Sequence, residues 1–147
     1  MIDLNAEFER MSKEFGLTDK EAFATIRTMI RYMWSKSEYK LKFFKTKSKL
    51  VKNENPRSVR KYPYVTKYQC AICGDWFSAN ETEIDHLVSE NALTSYEHIN
   101  DFFTNIILTS PDKLQVLCKD KKTKRDGIVR FGCHNLKSYS ERYNVSL

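Results

Sequence analysis

Four cysteines constrain this chain more than any other residues. Cys70 and Cys73 form a Cys-x-x-Cys turn, Cys118 and Cys133 follow, and these are all the cysteines in the 147 residues. A Cys-x-x-Cys turn aims two thiolates at one point, and two further cysteines complete a tetrahedral set of the kind that holds structural zinc. Asp85-His86 lies between the two pairs, and His134 directly follows Cys133. Two of the three histidines, His86 and His98, lie between the first and last cysteine, and the third directly follows the last.

Composition bounds the rest. A length of 147 residues with 41% hydrophobic and 13% aromatic residues suits one domain, or a domain with an arm. No apolar run approaches the roughly 18 residues a membrane span needs. Met1-Ile2-Asp3-Leu4-Asn5 lacks the basic-then-apolar layout of a signal peptide. The expectation is a soluble chain in the cytoplasm, where reducing conditions favour metal-bound or free thiols over disulfides.

Charge is unevenly spread. From Arg27 to Lys61 twelve Lys and Arg face only Glu38 and Glu54, and from Lys113 to Arg130 seven face Asp120 and Asp126. Between them, Glu81 to Asp112 holds seven acids and no Lys or Arg. Two basic segments flanking an acidic centre suit a polyanion held at its edges and a cation in the middle. The alternative for the arm is a solvated charged surface.

Periodicity predicts helices over 4–15, from a Thr18-Asp19-Lys20-Glu21 capping box to about Trp34, and from Ser37 to about Lys47. Phe23, Ile26, Ile30, Met33 and Trp34 are the expected buried stripe of the second. Lys52-Asn53-Glu54-Asn55-Pro56 reads as linker. Strands are expected over 62–68, 81–86 and 114–118, with helices over 95–107 and 134–143. Alternation puts Glu83 and Asp85 on one strand face, Ile84 and His86 on the other. His98 reads as structural. Glu83 reads either as a partner of the Asp85 site or as a solvated carboxylate.

A hard divalent cation takes carboxylate oxygen and tolerates imidazole nitrogen. Phosphodiester hydrolysis needs an activated water and charge stabilisation at the phosphoryl oxygens, and histidine suits the first task near neutral pH. His86 is thus a candidate base, with Asp85 and a second ligand holding metal.

Cys70-Ala-Ile-Cys73, Glu83-Ile-Asp85-His86-Leu, Leu114-Gln-Val-Leu-Cys118 and Cys133-His134-Asn-Leu-Lys137 together resemble the HNH endonucleases, above all small phage-type members with four zinc-binding cysteines. The resemblance covers residues 62–143 and, more loosely, 24–61. It implies an α+β fold: a ββα-metal (HNH) core with a structural zinc held by four cysteines, preceded by an N-terminal helical basic arm. It divides the chain into an arm (1–52), a linker (53–61) and a nuclease domain (62–147). It implies that Asp85 and His134 bind a catalytic divalent cation (Mg²⁺, Mn²⁺ or another transition metal), that His86 is the general base, and that Cys70, Cys73, Cys118 and Cys133 hold zinc. Double-stranded DNA is the implied partner, and the basic segments offer Arg27, Arg31, Lys40, Lys42, Lys45, Lys47, Lys121, Lys122, Lys124 and Arg125 as its candidate contacts. A homodimer or a phage packaging partner are further candidates, and a phage-encoded chain would act in the host cytoplasm. The alternative function is a non-catalytic zinc-ribbon protein that binds nucleic acid.

Two departures from the family pattern stand out. The middle Asn is replaced by Lys113, leaving Asn105 or Asp112 as candidates to orient the base. The last two cysteines are separated by Lys119–Gly132, an insertion that is either a phosphate-contacting hairpin turning at Asp126-Gly127 or a solvated loop. A register placing Lys121-Lys122 at the Cys-His position is disfavoured, because Cys133-His134-x-x-Lys137 recovers the pattern.

Overall fold

A computed structural model of the chain describes residues 1–87, 92–122, 127 and 129–144. The elements run α1 (Leu4–Glu14), α2 (Asp19–Ser35), α3 (Glu38–Thr46), β1 (Ser48–Lys52), β2 (Tyr64–Gln69), β3 (Trp76–Phe77), β4 (Thr82–His86), α4 (Ile99–Ile107), β5 (Leu114–Cys118), β6 (Lys121–Lys122), β7 (Val129–Arg130) and α5 (Cys133–Tyr143). The chain is a mixture of helices and small sheets, as the α+β expectation requires. It divides into two compact units, each built from two chain segments: Met1–Lys40 with His86–Lys113, and Leu41–Asp85 with Leu114–Leu147. The boundaries expected at residues 52 and 61 fall within the second of these.

The first unit is helical. Thr18 caps α2: its hydroxyl accepts from Glu21 N–H at 3.3 Å and its own N–H donates to the Glu21 carboxylate at 3.0 Å. This reciprocal pair satisfies two of the donors a helix start leaves open. Ala22, Ile26, Ile30 and Trp34 of α2 are buried, as are Ile99, Phe102, Ile106 and Ile107 of α4, which packs against it. Each large side chain removed from water contributes about 1.5–3 kcal/mol. Met33, expected in the stripe, is instead 49% exposed, because the buried row repeats every four residues from Ala22 and Trp34 takes the inward position. Asn5 ties α1 to the start of α4, accepting from Asn100 N–H at 3.0 Å and donating to the Glu97 carbonyl at 3.2 Å. His98 lies on a short 3-10 turn before α4 and is exposed.

In the second unit, β1, β2 and β3 form an antiparallel sheet in that order. The segment 53–63 between β1 and β2 is an ordered turn, where the composition predicts a linker. Buried Asn53 donates from its amide to Ser58 Oγ (3.0 Å) and to the Tyr62 carbonyl (2.7 Å), and accepts from Asn55 N–H (3.0 Å). β4 and β5 form a second sheet. Lys119 N–H donates to the Glu81 carbonyl at 2.8 Å, and Leu87 N–H to the Lys113 carbonyl at 2.9 Å. Those two bonds require the strands to be antiparallel, with Gln115 opposite Asp85. In the insertion after Cys118, β6 pairs antiparallel with β7, Lys121 with Arg130 and Lys122 with Val129; Asp126 of the expected turn lies outside the described residues. The insertion delivers the chain to α5, whose first residue is Cys133.

Candidate functional site

The thiols are the core of the second unit. Cys70, Leu117, Cys118 and Cys133 form one buried cluster with Phe77 against it, while Cys73 is exposed. Gly74, at φ +77°, takes a left-handed turn that lets its N–H bond to the Cys70 carbonyl at 3.0 Å. Cys70 N–H donates to the Asp75 carbonyl (2.9 Å), and Ala71 N–H donates to the carbonyl of Val116 on β5 (2.9 Å), docking the turn on the strand that ends at Cys118.

The four sulfur atoms lie within 4.8 Å of one another, with Cys73 and Cys118 4.0 Å apart. A tetrahedral zinc with bonds of about 2.3 Å spaces its sulfurs about 3.8 Å apart, so the set can hold a metal ion such as zinc. Among the described residues no other group of three or more Cys, His, Asp or Glu ligands is drawn this close. Burial raises the Cys70 thiol, but backbone groups of Cys73, Cys118 and Ile72 and the Cys73 thiol outweigh it and bring it down to about 7. Burial, and then the neighbouring Cys118 and Cys70, push Cys133 well above its ordinary value. Arg130 places its guanidinium 3.8 Å from Cys118 Sγ and over the Phe77 ring at 4.7 Å, and donates to the Lys119 carbonyl at 3.2 Å.

A second cluster gathers around Asp85. His134 Nε2 lies 3.7 Å from Asp85 Oδ1, and its Nδ1 lies 3.4 Å from Glu83 Oε2. Glu83 and Asp85 thus share a strand face, as alternation predicts. On the other carboxylate oxygen, Lys137 Nζ approaches to 2.5 Å and Gln115 Nε2 donates at 3.0 Å. Two ligand atoms each about 2.1 Å from one cation are separated by about 3–4.2 Å, so Asp85 Oδ1 and His134 Nε2 are spaced to share an ion. Helix α5 supplies both His134 and Lys137 from one face, three residues apart. Asp120 holds that helix at its start, accepting from Gly132 N–H at 2.6 Å and from Asn135 Nδ2 at 3.0 Å. A carboxylate at a helix N-terminus is favoured by the exposed N–H groups there. An open hollow of about 450 Å³ beside these residues is lined by Glu83, Lys119, Asp120, His134, Asn135 and Ser138.

His86 belongs to the first unit. It is half-buried, its ring 5.2 Å from that of Trp34 and its Nε2 3.1 Å from the Ile106 carbonyl oxygen. A carbonyl only accepts, so Nε2 is the donor in this bond. This bond of the His86 ring goes to the carbonyl of the residue after Asn105. Lys113 is exposed, and its backbone carbonyl serves Leu87.

The expected DNA-contacting cations are distributed over several elements. Arg27 and Arg31 are on α2; Arg31 is exposed, whereas Arg27 is half-buried with its Nε buried and unpartnered. Lys42, Lys45 and Lys47 are exposed, Lys40 half-buried. Lys121 pairs with Glu81 at 3.1 Å. Lys122 belongs to β6, and Lys124 and Arg125 lie outside the described residues. Sequence reasoning missed Asp120, Gln115 and the Lys137–Asp85 pair. The i, i+3 spacing of His134 and Lys137 was the available signal for the last. No family model matches the chain, and no curated protein or solved structure matches it.

Proposed function

We propose that this protein is a metal-dependent endonuclease or nickase of the HNH type that hydrolyses phosphodiester bonds in double-stranded DNA. The observation that carries this reading is the approach of Asp85 and His134 to 3.7 Å, on a helix whose first residue is the fourth thiol. In this reading Cys70, Cys73, Cys118 and Cys133 hold a structural zinc that fixes the start of α5, and Asp85 and His134 hold one catalytic divalent cation. When bound, that cation supplies positive charge to the phosphoryl oxygens. His86 is the general base that accepts the proton of the attacking water. Glu83 holds the His134 ring, and Gln115 and Lys137 hold the Asp85 carboxylate.

The Lys137–Asp85 ion pair favours a second reading, in which that carboxylate is satisfied by the protein's own cation and the chain is a non-catalytic zinc-binding, nucleic-acid-binding protein. Plasmid cleavage in Mg²⁺ or Mn²⁺ separates the two. The nuclease reading expects cleavage by the wild type and its collapse in His86→Ala, with zinc content and DNA binding retained. Absence of cleavage by the wild type with every divalent cation tried would leave the binding reading.

A further inference from the structure

We infer that the β1–β2 hairpin is a DNA-reading ribbon that enters the major groove, with its ordered tip gripping the backbone. This rests on the nucleic-acid reading above and adds the surface and the mode of contact. β1 pairs with β2 from Ser48–Tyr68 out to Lys52–Tyr64, whereas β3 pairs only with Tyr68 and Gln69 at the base. Beyond its base the hairpin is therefore a two-stranded ribbon, with no further strand on either edge among the described residues. At about 3.4 Å per residue its five-residue ladder is about 17 Å long. A two-stranded ribbon of this kind fits a B-DNA major groove about 12 Å wide.

Charge points to the same occupant. Residues 47–68 hold Lys47, Lys49, Lys52, Arg57, Arg60, Lys61 and Lys67 against Glu54 alone. Among the described residues none of these seven cations forms an ion pair. On the ladder face opposite to Leu50 and Tyr64, Lys49 stands directly across from Lys67 with its Nζ over the Trp76 ring at 5.5 Å, and the pair adds positive potential that a polyanion offsets. The ribbon also exposes Leu50 (65%), Tyr62 (54%) and Tyr64 (62%), apolar surface suited to thymine methyl groups in the groove. The tip is preformed. Asn53 fastens the 53–63 turn, and Val59 and Tyr62 donate back to Asn55 and Ser58, so Arg57, Arg60 and Lys61 are presented on an ordered turn. An A-form RNA duplex is excluded as occupant, since its major groove is too narrow for such a ribbon.

The test uses the full-length His86→Ala protein, a fluorescent duplex about three helical turns long and anisotropy across a salt series. Arg57→Ala/Arg60→Ala/Lys61→Ala is expected to weaken binding about tenfold or more and to lower the salt slope by about 2–3, one released counterion per lost phosphate contact. Dimethyl sulfate footprinting is expected to show guanine N7 protected in the major groove and adenine N3 unprotected in the minor groove. The variant must keep wild-type zinc content and circular dichroism; a Tyr64→Ser/Leu50→Ser variant repeats the test at the ladder if it does not. Unchanged affinity and salt slope, or unprotected N7, overturns the ribbon. Failure of the nuclease reading looks different: the wild type fails to cleave while N7 protection and the tip effect persist. A wild type that does not bind duplex DNA overturns both.

Discussion

Gly132→Ala is expected to break the protein at one point. Its φ of −82° is open to any residue, so backbone conformation does not demand glycine there. Space does. A Cβ would lie 2.2 Å from the Lys119 carbonyl carbon, 2.4 Å from the Cys118 carbonyl oxygen and 2.6 Å from Lys119 Cα. Non-bonded carbons rest about 3.5–4 Å apart, so the chain after Cys118 and the start of α5 must part by more than about 1 Å. All three atoms are backbone, and no rotamer change relieves the clash. The parting acts on two bonds: Gly132 N–H to Asp120 Oδ1 (2.6 Å) and Cys133 N–H to Cys118 Sγ (3.3 Å). Overpacking costs about 1–3 kcal/mol, and loss of a hydrogen bond to a charged group about 1.5–3 kcal/mol. The sum, about 2.5–6 kcal/mol, is a large share of an ordinary domain's stability of about 5–15 kcal/mol. Guanidinium unfolding and zinc stoichiometry measure the two consequences, lower stability and a leaking metal site. Gly74→Ala is the comparison: its φ of +77° strains an alanine, but nothing lies within 4 Å of a Cβ there, and the expected cost is about 1–2 kcal/mol. If Gly132→Ala unfolds within about 1 kcal/mol of wild type with full zinc content, the close approach is not what holds the fourth thiol in place.

Two other outcomes are expected. Structural zinc contributes about 10–16 kcal/mol in small metal-folded domains, so a strong chelator should melt the unit containing the four cysteines while the helices around Ile30 and Ile106 survive. Trp76 emission in a Trp34→Phe background should shift on chelation, and Trp34 emission in a Trp76→Phe background should not. Acid should act through Glu81, whose carboxyl is held down to about 2 chiefly by the Ser78 hydroxyl, against burial, and then by Lys121. A carboxyl depressed in the folded state stabilises above its unfolded value of about 4.3, and that contribution disappears as pH falls from about 4.5 towards 2. Glu81→Gln should therefore be less stable by about 1 kcal/mol at neutral pH after solvent screening, and its pH–stability curve should converge with the wild type near pH 2.

Local signals were legible where a short window contained the whole cause. The capping box at Thr18, the stripe through Ile26 and Ile30, and the strands at 82–86 and 114–118 are of this kind. The meeting of the four thiols was legible because Cys-x-x-Cys plus two cysteines has few other uses. The strand β1 was not legible: Ser48–Lys52 is lysine-rich and mostly exposed, and it is extended because β2 offers it a ladder and Asn53 closes the turn. The role of Ile106 was invisible for another reason. Every residue has a carbonyl, and only packing decides which one meets a histidine. Asp120 and Gly132 were hidden likewise, since their importance lies in a close approach between chain segments that the β6–β7 pairing brings back together.

The two-segment construction of each unit sets a timetable for synthesis. The first unit lacks α4 until Ile107 has been made, so α1 and α2 must wait with Ile26, Ile30 and Trp34 uncovered. The second waits longer: Cys70 and Cys73 emerge early, Cys118 and Cys133 only after α4 is complete, and not until then are all four thiols present. On the ribosome the segments of the helical unit are therefore complete first, and the full set of thiols follows them. A nascent chain stalled before residue 133 would carry a Cys-x-x-Cys pair and Cys118 with no fourth thiol to close the metal site.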